Sequence, residues 1–353
     1  MDAPEEEAFA SALIPAATWL LNGTTTVIDA SSYAGPGLVR ALDHLGMRGV
    51  VTRFVVDTVL NGDGSTSRSA DTDAELAAMR DLVAKLTARE DGRITGWPSF
   101  LYTPMASDDL LRGVKAIADE FGTGYTCHNS ALANEREASR AHFGKTSQER
   151  LRDLRLVTDR FAGSHMGFLT DEEVEMFADA GSKANHAPYA TGGIGQNYMS
   201  GGNVPALWRA EVPVSVGTDG GGRQRGDMWR NMAAAMLFHN EVAQNDRLVN
   251  PLHALRMGTL DAARFAGLEG EVGSLEVGKR ADFLVIDLGH PKYTTEDDLI
   301  ALLIDSTGPA DIDRVVIDGR VRVDRGRIPD VDMGAVRRDA IAAVRSFHAR
   351  NQG

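Results

Sequence analysis

The chain has one cysteine, Cys127, in 353 residues. No intrachain disulfide can form, which points to a reducing, cytoplasmic setting. No apolar run approaches the roughly 20 residues that a membrane helix needs, so no membrane partner is expected. The opening MDAPEEEAFASALIPAATWLL is acidic before it is apolar, whereas a secretory signal starts basic. Positive charge is in deficit, with 37 Lys and Arg against 50 Asp and Glu and a formal net charge of -13. Such a surface repels phosphates and excludes nucleic acid as an expected partner. No His-x-His occurs anywhere, and there is no internal repeat or low-complexity segment. The remaining composition, 43% apolar and 25% charged, is that of an ordinary soluble globular protein. The length suits a barrel with a small second domain.

Short β-branched runs alternate with amphipathic helical stretches through the first two-thirds, the pattern of βα units and a parallel sheet. Strands are predicted at Thr24–Ala30, Gly49–Val56, Ile94–Leu101, Gly124–Asn129, Arg160–Met166, Lys183–Ala187 and Val212–Asp219. Helices are predicted at Gly37–Leu45, Thr72–Ala88, Ser107–Phe121, Thr170–Ala180 (with a TDEE capping box) and Asp227–His239. Seven strands are one short of a closed eight-stranded barrel. A helix at about Glu5–Asn22 precedes the first of them, where a barrel would place the helix that follows strand one. Two readings stay open: a TIM-like (β/α) barrel missing its first strand, or an open doubly wound sheet of seven strands. After about Leu268 the pattern changes to short alternating strands with glycine turns, which read as a small β-structure and end in a basic amphipathic helix at Val336–Arg350. Residues 1–267 are therefore expected to form the barrel, and 268–353 a partial β-sandwich with the C-terminal helix. The polar stretch Asn61–Asp73 reads as a mobile loop.

Barrel enzymes carry their chemistry at the C-terminal ends of strands. His128, His165, His186 and Asp219 fall at four consecutive predicted strand ends. A lone histidine on an apolar strand is more often structural, but four such groups in register are harder to assign to packing. Histidine with carboxylate suits zinc or a similar divalent ion. Gly220, Gly221 and Gly222 after Asp219 leave room for a close approach. His44, His142, His239, His253, His290 and His348 fall in helices or surface loops by pattern.

These segments resemble the amidohydrolase superfamily, in the branch of cytosine and guanine deaminases and triazine chlorohydrolases. LLNGTTTVIDA resembles the second-strand segment, GSHMGFLTDEEVEMFADAG the sixth, ANHAPYATGG the seventh and VPVSVGTDGGG the eighth. PLHALRMGTLDAARFAGLEGEVGSLEVGKRADFLVID is the most specific piece. The resemblance implies a divalent metal, zinc or iron, with His128 and Asp219 as ligands and His165 as a third. Asp219 would also take the proton from the attacking water, and His165 would orient that water or polarise the substrate. His186 would line the substrate pocket. Three departures stand out. The family's first-strand His-x-His pair is absent from these residues. Its strand-five His-x-x-Glu reads His128-Asn129-Ser130-Ala131, with Glu135 four residues on as a candidate substitute. The N-terminal half of its small β-domain is not seen.

The implied function is metal-dependent hydrolysis of C–N bonds in a small nitrogenous or heterocyclic substrate. Loss of the glutamate disfavours ring deamination and favours leaving groups that need less protonation. The alternative is a non-catalytic relative, either a subunit or a small-molecule-binding pseudoenzyme with an incomplete metal site. Trp97, Phe100 and Tyr102 are candidates to stack on a planar ring, with barrel packing claiming at least one. Tyr189, Gln196 and Asn197 are candidates for substrate contact. Arg223 and Arg225 would meet an anionic group or serve as solvated loop charges. Unpaired edges on the first and last strands would invite a homo-oligomeric or other partner chain.

Overall fold

The structure is a computed structural model that describes residues 4–31, 35–195, 197–220, 226–293 and 298–351. Gln196, Gly221, Gly222, Arg223 and Arg225, singled out above, lie outside the described residues.

Thirteen strands are assigned among them. β1 (Thr26–Ile28), β2 (Arg48–Val51) and β5 (Ile94–Gly96) form a parallel sheet in the order β1-β2-β5. β6 (Ser99–Tyr102), β7 (Tyr125–Asn129), β8 (Phe161–His165), β9 (Lys183–His186) and β10 (Val214–Val216) form a second, in the order β10-β9-β8-β7-β6. The predicted strand Ile94–Leu101 is thus two strands. Pro98 sits between β5 and β6 and has no N–H to give a ladder. One extended segment therefore serves an edge of each sheet, and the parallel run continues from β1 to β10 through it. β7 and β8 are buried along most of their length, as expected for strands covered on both faces.

Helices cover the strands through one large core. Leu110, Val114 and Ile117 of the helix Asp108–Phe121 pack with Tyr125, Cys127 and Phe161 of the strands. That helix is capped by Ser107, whose side chain accepts from Leu110 N–H, and ends at Gly122 in the left-handed conformation. The TDEE box forms as read: Thr170 and Glu173 cap the helix Asp171–Asp179 reciprocally.

The stretch Asn61–Asp73, expected to be a polar loop, instead carries secondary structure. β3 (Thr58–Leu60) and β4 (Thr66–Arg68) make an antiparallel hairpin, and Asp71 caps the next helix. Asp57 anchors its base. The fully buried carboxylate accepts from Ser107 N–H at 2.7 Å and Thr72 O–H at 2.6 Å, and pairs with Arg68 at 2.7 Å. Sequence polarity signalled solvent here, but the polar groups satisfy one another.

β11 (Phe283–Ile286), β12 (Ile312–Ile317) and β13 (Arg320–Asp324) form an antiparallel sheet. Its Ile312, Val315 and Ile317 share a core with Leu13, Leu20 and Leu42 from the first two helices. The buried Arg48 side chain of β2 also reaches Asp282, 2.9 Å away, at the start of this unit.

Candidate active site

Parallel pairing brings the ends of five strands side by side. Tyr102 of β6 is in register with His128 of β7, Asn129 of β7 with His165 of β8, and His186 of β9 with Val216 of β10. Asp219 follows three residues after β10, with φ 59°. The strand ends therefore present a row of rings. The Tyr102 ring lies 5.1 Å from His128, and His128 5.3 Å from His165, both pairs tilted by about a third of a right angle. Tyr198 follows, with its edge to His165 at 6.3 Å and its face stacked on His186 at 5.5 Å. His239 comes next, its Nε2 3.0 Å from that of His186, and Trp208 packs edge-on against it from beyond at 4.9 Å.

Burial keeps these imidazoles neutral. It lowers the pKa of His128, against the pull of the Asp219 carboxylate. It lowers that of His165 further, reinforced by the neighbouring His128 and opposed by Asp219. His186 is pushed well down by burial and by His239, and His239 is itself lowered to about 4 by burial. Neutral imidazole is the form that accepts a proton or binds a metal. The Nδ1 atoms of His128 and His165 are buried without a hydrogen-bond partner among the described residues, and Asp219 is exposed at the mouth beside them. Two imidazoles and a carboxylate fit zinc or iron by donor type. Among the described residues, however, no three such side chains lie close enough to enclose an ion.

Not every candidate belongs here. Trp97 is nearly buried and packs with Val50, Ala162, Phe265 and Ala266, and its ring fills the space that a side chain at Gly124 would take. Its surroundings are those of a packing residue. Phe100 is fully buried in the large core. Tyr102 remains in the site, half-buried. Tyr189 and Asn197 are exposed, and Asn197 accepts from Ser200 in its own turn. His186 is in the row but has no exposed surface, so it supports the pocket instead of lining it. Glu135 is buried, and its Oε2 accepts from Ala131 N–H at 3.1 Å. Burial raises its pKa. It braces the turn that follows β7.

Two members of the ring row carry no role in the sequence reading. His239, placed by pattern in a helix or surface loop, is buried against His186. Tyr198 was passed over between its neighbours. The periodicity of Met228–Ala243 does place His239 with the buried Trp229, Met232 and Met236, which was the available signal.

Residues 1–322 match the amidohydrolase family. The chain belongs to that family. A 5-methylthioadenosine/S-adenosylhomocysteine deaminase of Symbiobacterium thermophilum is 29% identical over 86% of this chain and 67% of its own length. An S-triazine hydrolase of Gordonia rubripertincta is 27% identical over 85% of this chain and 65% of its own. Among solved structures, an adenosine deaminase from Xanthomonas campestris with bound zinc superposes with a TM-score of 0.86 at 26% identity, covering 96% of this chain and 75% of that one. With the parallel strand order above, this makes the fold a TIM-like α/β barrel.

Proposed function

We propose that the chain hydrolyses C–N bonds of small nitrogenous heterocycles, with a divalent metal, zinc or iron, held in part by His128, His165 and Asp219. The observation that carries this is the pair of buried neutral imidazoles, His128 and His165, at adjacent strand ends, with the Asp219 carboxylate acting electrostatically on both. Similarity to deaminases of adenosine derivatives and to a triazine hydrolase supports the substrate class. When bound, the metal would supply Lewis acidity that makes water nucleophilic near neutral pH. Asp219, exposed at the mouth, takes the proton from the attacking water. His165 orients that water, and Tyr102 offers its ring to a planar substrate. Ala131 can shuttle no proton, which favours substrates whose leaving group departs with little protonation.

The outer edges of β1 and β10 carry no ladder partner among the described residues. We read the space between them as the place of the first barrel strand, where further ligands would lie. A homo-oligomeric or other partner chain would cover these edges. We read residues 1–267 as the barrel and 268–353 as part of a sandwich with the C-terminal helix, acting in the cytoplasm.

The test is ammonia or amine release from a panel of adenosine derivatives and amino-triazines, with zinc present and Asp219→Ala as control. Silence across the panel from folded, zinc-supplemented protein would defeat the proposal. The second reading, a small-molecule-binding relative without turnover, draws on the lack of three converging donors. Tight ligand binding without product would identify it.

A further inference from the structure

His165 and Met166 both adopt left-handed backbone, φ 76° and 50°, although neither is glycine. Consecutive residues of this kind persist only where the surroundings over-determine them. Backbone ties account for part of the hold. Met166 N–H donates to Asn129 C=O at 2.8 Å, and the N–H groups of Gly167 and Phe168 both donate to Ser130 C=O at 3.1 Å. The carbonyl of His165 itself is held by a side chain from outside the strand: the Tyr198 phenol donates to it at 2.5 Å.

Tyr198 sits in a built socket. It is 2% exposed. A side chain at Gly167 would collide with its ring, and one at Gly202 with its backbone carbonyl. One ring face stacks on His186, whose Nε2 meets His239, and Phe168 packs edge-on at 5.5 Å. A ring so enclosed cannot touch substrate.

We propose that Tyr198 is a positioning residue: its phenol locks the His165 carbonyl and the left-handed turn at 165–166, aiming the His165 imidazole toward His128 and Asp219. The proposal rests on the reading of His165 as a working group of the site. It extends the site to a buried support, Tyr198–His186–His239, that reaches back to the helix Met228–Ala243.

The experiment uses the full chain with 13C-labelled histidine, freed of metal by dialysis against chelator. The His165 signal is assigned with His165→Gln. In Tyr198→Phe, which keeps the ring and removes the hydroxyl, the His165 signal should move by more than its linewidth while the His348 signal stays. An unmoved His165 signal in folded Tyr198→Phe overturns the proposal. Should that variant not fold, the wild-type sequence grown with 3-fluorotyrosine, a stronger donor, should also displace the His165 signal, and coincidence with the unlabelled-tyrosine protein overturns it. Zinc competition gives the second readout, with affinity expected to fall about tenfold in Tyr198→Phe. Undiminished zinc affinity in that variant counts against the positioning role. A wild-type chain that takes up no zinc defeats the metal reading instead and leaves the histidine signal to decide this one.

Discussion

Replacing His239 with phenylalanine should flatten the acid sensitivity of the fold. His239 is 2% exposed and has its pKa lowered from 6.5 to about 4 by burial. An unfolded histidine titrates near its ordinary value, so between those two pH values the unfolded chain binds a proton that the folded chain does not. Stability from this group is therefore complete above pH 6.5 and is lost as pH falls toward 4. At about 1.4 kcal/mol per pKa unit, the loss amounts to about 3 kcal/mol. Phenylalanine fills similar space and cannot take the proton. It also leaves His186 Nε2 without its partner, at a cost of about 1–3 kcal/mol at neutral pH. The assay is urea unfolding of both proteins at pH 7.5 and 4.5. Carboxylates common to the two cancel in the comparison. The wild type should lose about 2.5 kcal/mol more than His239→Phe between those pH values, since pH 4.5 stops short of the folded pKa. Equal losses would refute the assignment of His239 as a buried neutral partner of His186.

Asp282→Ala should destabilise the fold by about 3–5 kcal/mol, because it strands the Arg48 guanidinium in a site where both side chains are 2% exposed or less. Equilibrium unfolding measures this, and a cost below about 1 kcal/mol would mean that water reaches the pair. Trp97→Ala should cost about 3–5 kcal/mol of stability through the cavity left in the floor, while KM for any turned-over substrate stays unchanged. A raised KM with unchanged stability would return Trp97 to the pocket.

The positions of His128, His165 and Asp219 were legible because parallel strands impose them. A βα pattern fixes which end of each strand faces the site, so His128, His165 and Asp219 could be placed from their positions at strand ends. The hairpin at 58–68 was not legible, since its order comes from the buried Asp57 and not from apolar periodicity. The break at Pro98 was visible as a residue, but not its consequence of sharing one segment between two sheets. The aromatic candidates show the same limit. Trp97 and Tyr102 read alike in sequence, and only Gly124 beneath the first and His128 beside the second separate them. Tyr189 and Asn197 drew attention by following His186, yet Tyr198 turns inward because Gly167 and Gly202 leave it room.

The central claim is that His128, His165 and Asp219 serve a metal-using hydrolytic site. Its most direct test is metal content per chain by plasma mass spectrometry, on protein purified without chelators. The account predicts close to one zinc or iron per wild-type chain, and a clear loss in a folded Asp219→Ala variant. Metal content near zero in folded protein, with no recovery on adding zinc or iron, would contradict it.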